Sequence, residues 1–144
     1  MKNTWKLFAA VAACGALLAA CAARKNGAES QEPEQEAPVP TYAQITQEEA
    51  KNLMDSRADL VILDVRRPDE FESGHIPGAI CIPNETIDET VRQTLKDPKQ
   101  TILVYCRSGR RSKEAAEKLV NLGYTDVREF GGILTWAYGT TTED

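Results

Sequence analysis

Along the chain, apolar residues gather in distinct rhythms separated by stretches that have almost none. Two short runs, Leu60-Val-Ile-Leu63 and Thr101-Ile-Leu-Val-Tyr105, are continuous and rich in β-branched residues, and they are followed by Asp64 and Cys106. Runs of this length predict strands buried on both faces, with carboxyl ends that meet solvent. Residues 112–122 instead alternate charges with Ala115, Ala116, Leu119 and Val120 and are followed by Gly123, which predicts a helix closed by a left-handed cap. A second helix is predicted from the capping box Thr46-Gln-Glu-Glu49 to about Ser56. Weaker signals predict a helical turn over 69–73, a short strand over 79–82 and a helix over 87–95, with Pro83 and Pro98 as breaks. Strand and helix alternate. The folded part is therefore read as one α/β domain, a central parallel sheet flanked by helices on both faces, with ligands bound beyond the carboxyl ends of the strands.

A different rhythm opens the chain. After Lys2 and Lys6, residues 7–23 are uncharged and rich in Ala and Leu, the layout of a secretory signal. Within that stretch, Leu18-Ala19-Ala20-Cys21 resembles the lipobox of bacterial lipoproteins, whose cysteine is acylated and becomes the first mature residue. An ordinary cleaved signal and an uncleaved short span are the competing readings. The lipobox reading makes 1–20 a signal peptide, Cys21 the lipid attachment point and 21–40 a tether. Those last residues carry prolines 33, 38 and 40 among glutamates, with little to bury. Residues 41–144 are then the folded domain, held at a membrane on its extracytoplasmic side, periplasmic or cell-surface.

Composition fits that division: 42% hydrophobic and 27% charged residues support one modest core. The formal net charge is −5, and loss of Lys2 and Lys6 with the leader moves it to −7. Such a balance argues against nucleic acid as a partner, because phosphate binding needs a basic surface. It also makes one local cluster of arginines conspicuous.

That cluster follows the cysteine, in Cys106-Arg-Ser-Gly-Arg-Arg-Ser112. A thiol between a strand and a helix start sits among backbone N–H groups, which favour anions and a lowered thiol pKa. Arg107, Arg110 and Arg111 add positive charge near the sulfur, and Gly109 permits the backbone angles of a tight cradle. Reactive cysteines occupy electropositive, partly exposed settings, and this loop has that character.

The loop resembles the active-site loop of the rhodanese family, here Cys106 to Arg111. Asp64-Val-Arg66, Pro68-Asp-Glu-Phe71, Gly74-His-Ile-Pro-Gly-Ala79 and Gly131-Gly132 followed by Trp136 also look like that family's signatures, in order, over roughly residues 42–139. The resemblance implies a sulfurtransferase. Sulfane sulfur would pass from thiosulfate or a similar small anionic donor to Cys106 as a persulfide, then to cyanide or a thiol acceptor. It assigns Arg107, Ser108, Gly109, Arg110 and Arg111 to the cradle, with Asp64 and Arg66 lining or bracing the pocket. No cofactor and no metal are implied, and a monomer is expected.

Two rival functions remain. A phosphatase or arsenate reductase on the same fold would have a loop one residue longer, with its arginine where Ser112 stands. A relay module would hold persulfide, or a redox thiol, for a partner with little turnover. His75, the sole histidine, is read as shaping a turn. Cys81 is read as a buried apolar side chain, with a disulfide to Cys106 left open. Leu134, Trp136 and Tyr138 are expected to complete the core.

Overall fold

The computed structural model describes residues 41–143, so the expected signal peptide, the lipid site at Cys21 and the tether lie outside the described residues. Strands β1 (Ala43–Gln44), β2 (Val61–Asp64), β3 (Ala79–Cys81), β4 (Ile102–Cys106) and β5 (Val127–Gly132) pair in the order β1-β5-β4-β2-β3. Every pair is parallel. β4 has neighbours on both sides and all its residues are buried, which is why its sequence is continuously apolar and does not alternate.

Successive side chains leave these strands toward two cores. Leu63, Val104 and Cys106 pack with Ala115, Ala116 and Leu119 on one face. Ile62, Leu103 and Tyr105 pack with Ala50 and Phe130 on the other. Helix α1 (Gln47–Ser56) supplies Ala50, α2 (Pro68–Glu72) follows β2, and α3 (Arg110–Asn121) supplies the alanines and Leu119. Helices thus cover both faces, as the alternation predicts.

Local chemistry sets the helix ends. At α1, Glu49 N–H donates to the Thr46 hydroxyl at 3.1 Å while Thr46 N–H donates to the Glu49 carboxylate at 2.7 Å. After α3, Gly123 takes φ +94° and Tyr124 N–H donates to Leu119 O at 3.1 Å, the left-handed closure its sequence predicts.

The helix predicted over 87–95 is replaced by two 3₁₀ turns, Asn84–Thr86 and Glu89–Gln93. The Asp88 carboxylate accepts both the Thr90 N–H at 2.8 Å and the Thr90 hydroxyl at 2.6 Å, a local turn that competes with helical bonding. Ile87, Val91 and Leu95 are nevertheless all buried, so the apolar spacing is satisfied without a regular helix.

Asp64 does not meet solvent. It is fully buried, and its carboxylate accepts the Arg66 guanidinium (2.6 and 3.0 Å) and the Arg66 N–H (2.9 Å). Arg66 also donates to Gly74 O at 2.8 Å, and the Tyr105 hydroxyl accepts Ile76 N–H at 3.1 Å. The ion pair therefore ties the end of β2 to the segment before β3. Removing one partner of such a pair strands a buried charge. Asp64→Ala should cost about 3–5 kcal/mol in urea unfolding; a loss near that of an exposed pair, below about 1 kcal/mol, would show that the brace is dispensable.

Candidate active site

The turn from β4 into α3 is short because Gly109, at φ +100°, reverses the chain where a side chain would strain it. Its path is also fixed from below. A Cβ on Gly132 would come within 2.3 Å of Arg107 O and 2.6 Å of Ser108 Cα, so the loop lies directly on the glycine of the neighbouring strand. Leu134 N–H then donates to Arg107 O at 3.2 Å, holding the same point from the other side.

Cys106 stands at the start of this loop and is 1% exposed, so the partly exposed setting expected from the arginines is not found. Gly109 N–H donates to its sulfur at 3.1 Å. Burial is the largest influence on the thiol and opposes ionisation. The hydroxyl and amide of Ser112, with the amides of Gly109 and Ser108, outweigh it and hold the thiol below its ordinary value. Neutral dipoles at a helix start therefore carry most of the work that the sequence assigns to arginine charge. Ser112 is itself fully buried.

The arginines divide. Arg107 and Ser108 are exposed on the loop's outer side. Arg110, also exposed, pairs with Glu114 one turn along the helix at 2.7 Å. Arg111 is half-buried and makes two parallel bonds to Glu70 on α2, at 2.7 and 2.9 Å. Its cation is stabilised first by those bonds and also, against burial, by the charges of Glu70 and Cys106. In turn the Glu70 carboxyl is drawn from 4.5 to about 2, chiefly by its bonds to Arg111. Asp64 and Arg66 brace the fold behind this region through the pair described above.

Cys81 cannot reach Cys106. β2 lies between β3 and β4, so two strand spacings, on the order of 10 Å, separate the backbones, beyond the roughly 7 Å a disulfide spans. Cys81 also shares a register row with Asp64 and Tyr105, whereas Cys106 is the next residue and points to the opposite face. Burial, then the Asp64 charge, push the Cys81 thiol up to about 11. His75 is buried against Phe71, ring centroids 3.7 Å apart, and its Nδ1 lies 3.0 Å from Phe71 O, a position inside the turn.

Of the three residues expected to finish the core, Trp136 packs on Phe130, but Leu134 and Tyr138 are 65% and 45% exposed. The 3₁₀ turn Ile133–Thr135, fastened to the loop through Leu134 N–H, directs Leu134 outward. Glu129 escapes a reading of the sequence altogether. It is 3% exposed on β5 and reaches the Cys106 loop through Ser112, yet nothing in Val127-Arg-Glu-Phe130 marks a buried side chain of this kind.

Comparison with known proteins agrees with this geometry. The rhodanese-like domain model matches residues 46–138. The thiosulfate sulfurtransferase PspE of Escherichia coli is 39% identical over 71 residues, 49% of this chain and 68% of the relative. A probable adenylyltransferase/sulfurtransferase, MoeZ of Mycobacterium tuberculosis, is 36% identical over 94 residues; that match takes in 65% of this chain but spans only 24% of that relative's length. Among solved structures, a rhodanese with anions from E. coli superposes with a TM-score of 0.54 at 35% identity, over 58% of this chain and 98% of that one. A matching family model over most of the chain, the parallel sheet and the Cys106 loop converge on one conclusion: the chain belongs to the rhodanese-like domain family.

Proposed function

We propose that this chain is a sulfurtransferase that carries sulfane sulfur as a persulfide on Cys106, taking it from thiosulfate or a similar anion and passing it to cyanide or a thiol. The observation that carries the reading is a buried sulfur that accepts the Gly109 N–H at a helix start, its thiol held below the ordinary value. Its relatives' names point the same way.

The transfer needs no proton. The Cys106 thiolate attacks the outer sulfur of thiosulfate, a sulfur–sulfur bond forms, and the sulfur–sulfonate bond breaks with its electron pair leaving as sulfite. Cyanide then attacks the outer sulfur of the persulfide, thiocyanate departs, and the pair from the broken bond returns to Cys106 as thiolate. In both steps charge collects on Cys106 or beside it, and fixed donors stabilise it without having to reorganise. Arg111 serves this site in two ways: it offers a cation to the donor and, through Glu70, clamps the loop's end to α2. Arg107 and Arg110, on the outside, attract the anion.

We also propose that the domain is a lipoprotein held outside the cytoplasm through Cys21, on the strength of the lipobox alone.

Four outcomes are expected. Purified protein incubated with thiosulfate and cyanide releases thiocyanate, and gains one sulfur by intact mass when cyanide is omitted; Cys106→Ser does neither, and absence of both from the native chain refutes the reading. Arg111→Ala raises the KM for thiosulfate about tenfold, the equivalent of one charge-assisted contact. Acidification tests the clamp separately. Because the folded Glu70 value lies below the unfolded one, its stabilising contribution is complete above about pH 4.5 and is lost as pH falls toward about 2. In Glu70→Gln that part of the acid dependence disappears from unfolding curves; an unchanged acid profile would mean that the pair contributes nothing. Expressed with its own leader, the chain sediments with membranes and carries acyl mass on the peptide beginning at Cys21, and a soluble, unlipidated product would remove the anchor.

A further inference from the structure

The guanidinium of Arg111 is already gripped by a carboxylate. Its Nη1 and Nη2 donate to Glu70 Oε2 and Oε1 at 2.7 and 2.9 Å, the same two-point contact that an oxyanion of a sulfur donor would take. Glu70 is itself held in place: the Arg67 N–H donates to its Oε2 at 3.2 Å, closing the first turn of α2, and the Arg67 guanidinium lies 3.8 Å away. The side chains of Arg111 and Glu70 are only 16% and 19% exposed, so salt and water screen the pair weakly. Arg110 is answered by Glu114 at 2.7 Å, and the charge of Glu85 also reaches Arg111. Two of the loop's arginines therefore meet an incoming anion with their charge already matched.

We propose that Glu70 is a positioning residue that sets donor specificity: by occupying the two-point grip of Arg111, it keeps the affinity for small divalent oxyanions low, and thiosulfate has to share the guanidinium with an internal carboxylate. The inference rests on the sulfurtransferase reading for the identity of the anion it restrains. Sharing is possible. Among the described residues Arg111 makes no other side-chain hydrogen bond, so three of its five N–H groups stay available to a donor. The reaction gives such restraint a purpose. Each turnover that begins with thiosulfate leaves sulfite in the same place, another small oxyanion that must depart before the acceptor enters, and an unopposed guanidinium beside the cradle would retain it. Contacts that hold donor and product alike lower KM without speeding the chemical step. Sulfate and phosphate, which present similar oxygens and no transferable sulfur, are kept out by the same balance.

Sulfate, an unreactive oxyanion, tests the proposal without turnover: the concentration that halves the rate of Cys106 alkylation by iodoacetamide reads occupancy of the site. In Glu70→Gln that concentration falls about tenfold, the equivalent of one charge-assisted contact set free. The KM for thiosulfate falls with it, while kcat is not raised. A purely structural clamp gives the reverse, because an Arg111 without its partner leaves the site and both values climb. Unchanged or raised values in Glu70→Gln, in protein whose urea midpoint shows it folded, therefore overturn the proposal. Glu70→Asp serves where Glu70→Gln is too unstable to assay: it keeps a carboxylate but shortens its reach to Arg111, and both values fall by less, a rise again overturning the proposal. Glu72→Gln removes an equal charge from an exposed site on the same helix and leaves both values native. A tenfold gain there would assign the effect to net charge and sink the idea. Added to Arg111→Ala, Glu70→Gln changes neither value, and a persisting gain likewise overturns action through Arg111. A native chain that sulfate protects in this pattern yet that releases no thiocyanate would defeat the sulfurtransferase reading and leave the restraint on anions standing.

Discussion

A thiol held below its ordinary pKa is buried at the end of an apolar strand, and such burial of an ionisable group can be tolerated only if donors are fixed around it in advance. Much of the architecture follows from that requirement. The loop has to turn tightly enough to aim several amides at one atom, so it needs a residue free to take a positive φ, which Gly109 provides. It must also enter a helix at once, so that the orphan N–H groups of the first turn, including that of Ser112, converge on the sulfur.

The sheet makes this geometry rigid. A parallel arrangement brings the carboxyl ends of β2, β4 and β5 to one edge, where each contributes a different service. β4 delivers the sulfur. β5 ends in Gly132, which is bare of side chain so that the loop can rest on it. β2 ends in the Asp64–Arg66 pair, which anchors the next segment and leaves the site itself to neutral donors and Arg111. The clamp from Arg111 to Glu70 joins the far end of the loop to another helix, so the cradle is held at its start, its middle and its finish.

How much of this was readable beforehand depends on whether the signal is local. β2, β4, α1 and α3 were legible because each carries its own periodicity or cap within a dozen residues, and the cysteine loop because a thiol, a glycine and arginines lie side by side. β5 was not, since Arg128, Glu129 and paired glycines dilute any strand pattern and the pairing that makes it a strand comes from β4. Nor could the sequence tell which arginine meets a carboxylate: the Glu70 partner of Arg111 is 41 residues away. The same holds for burial. A cysteine amid arginines reads as exposed, and only the packing of α3 against β4 shows that the sulfur faces inward while Arg107 and Arg110 turn out.

The placement of the two described cysteines on opposite faces of the sheet has a chemical consequence of its own. A peroxide that reaches Cys106 converts it to a sulfenic acid, and no second thiol of the folded domain stands within range to condense with that group. Among the described residues oxidised Cys106 has no resolving partner, so recovery within that domain depends on a thiol arriving from outside it before further oxygen atoms are added.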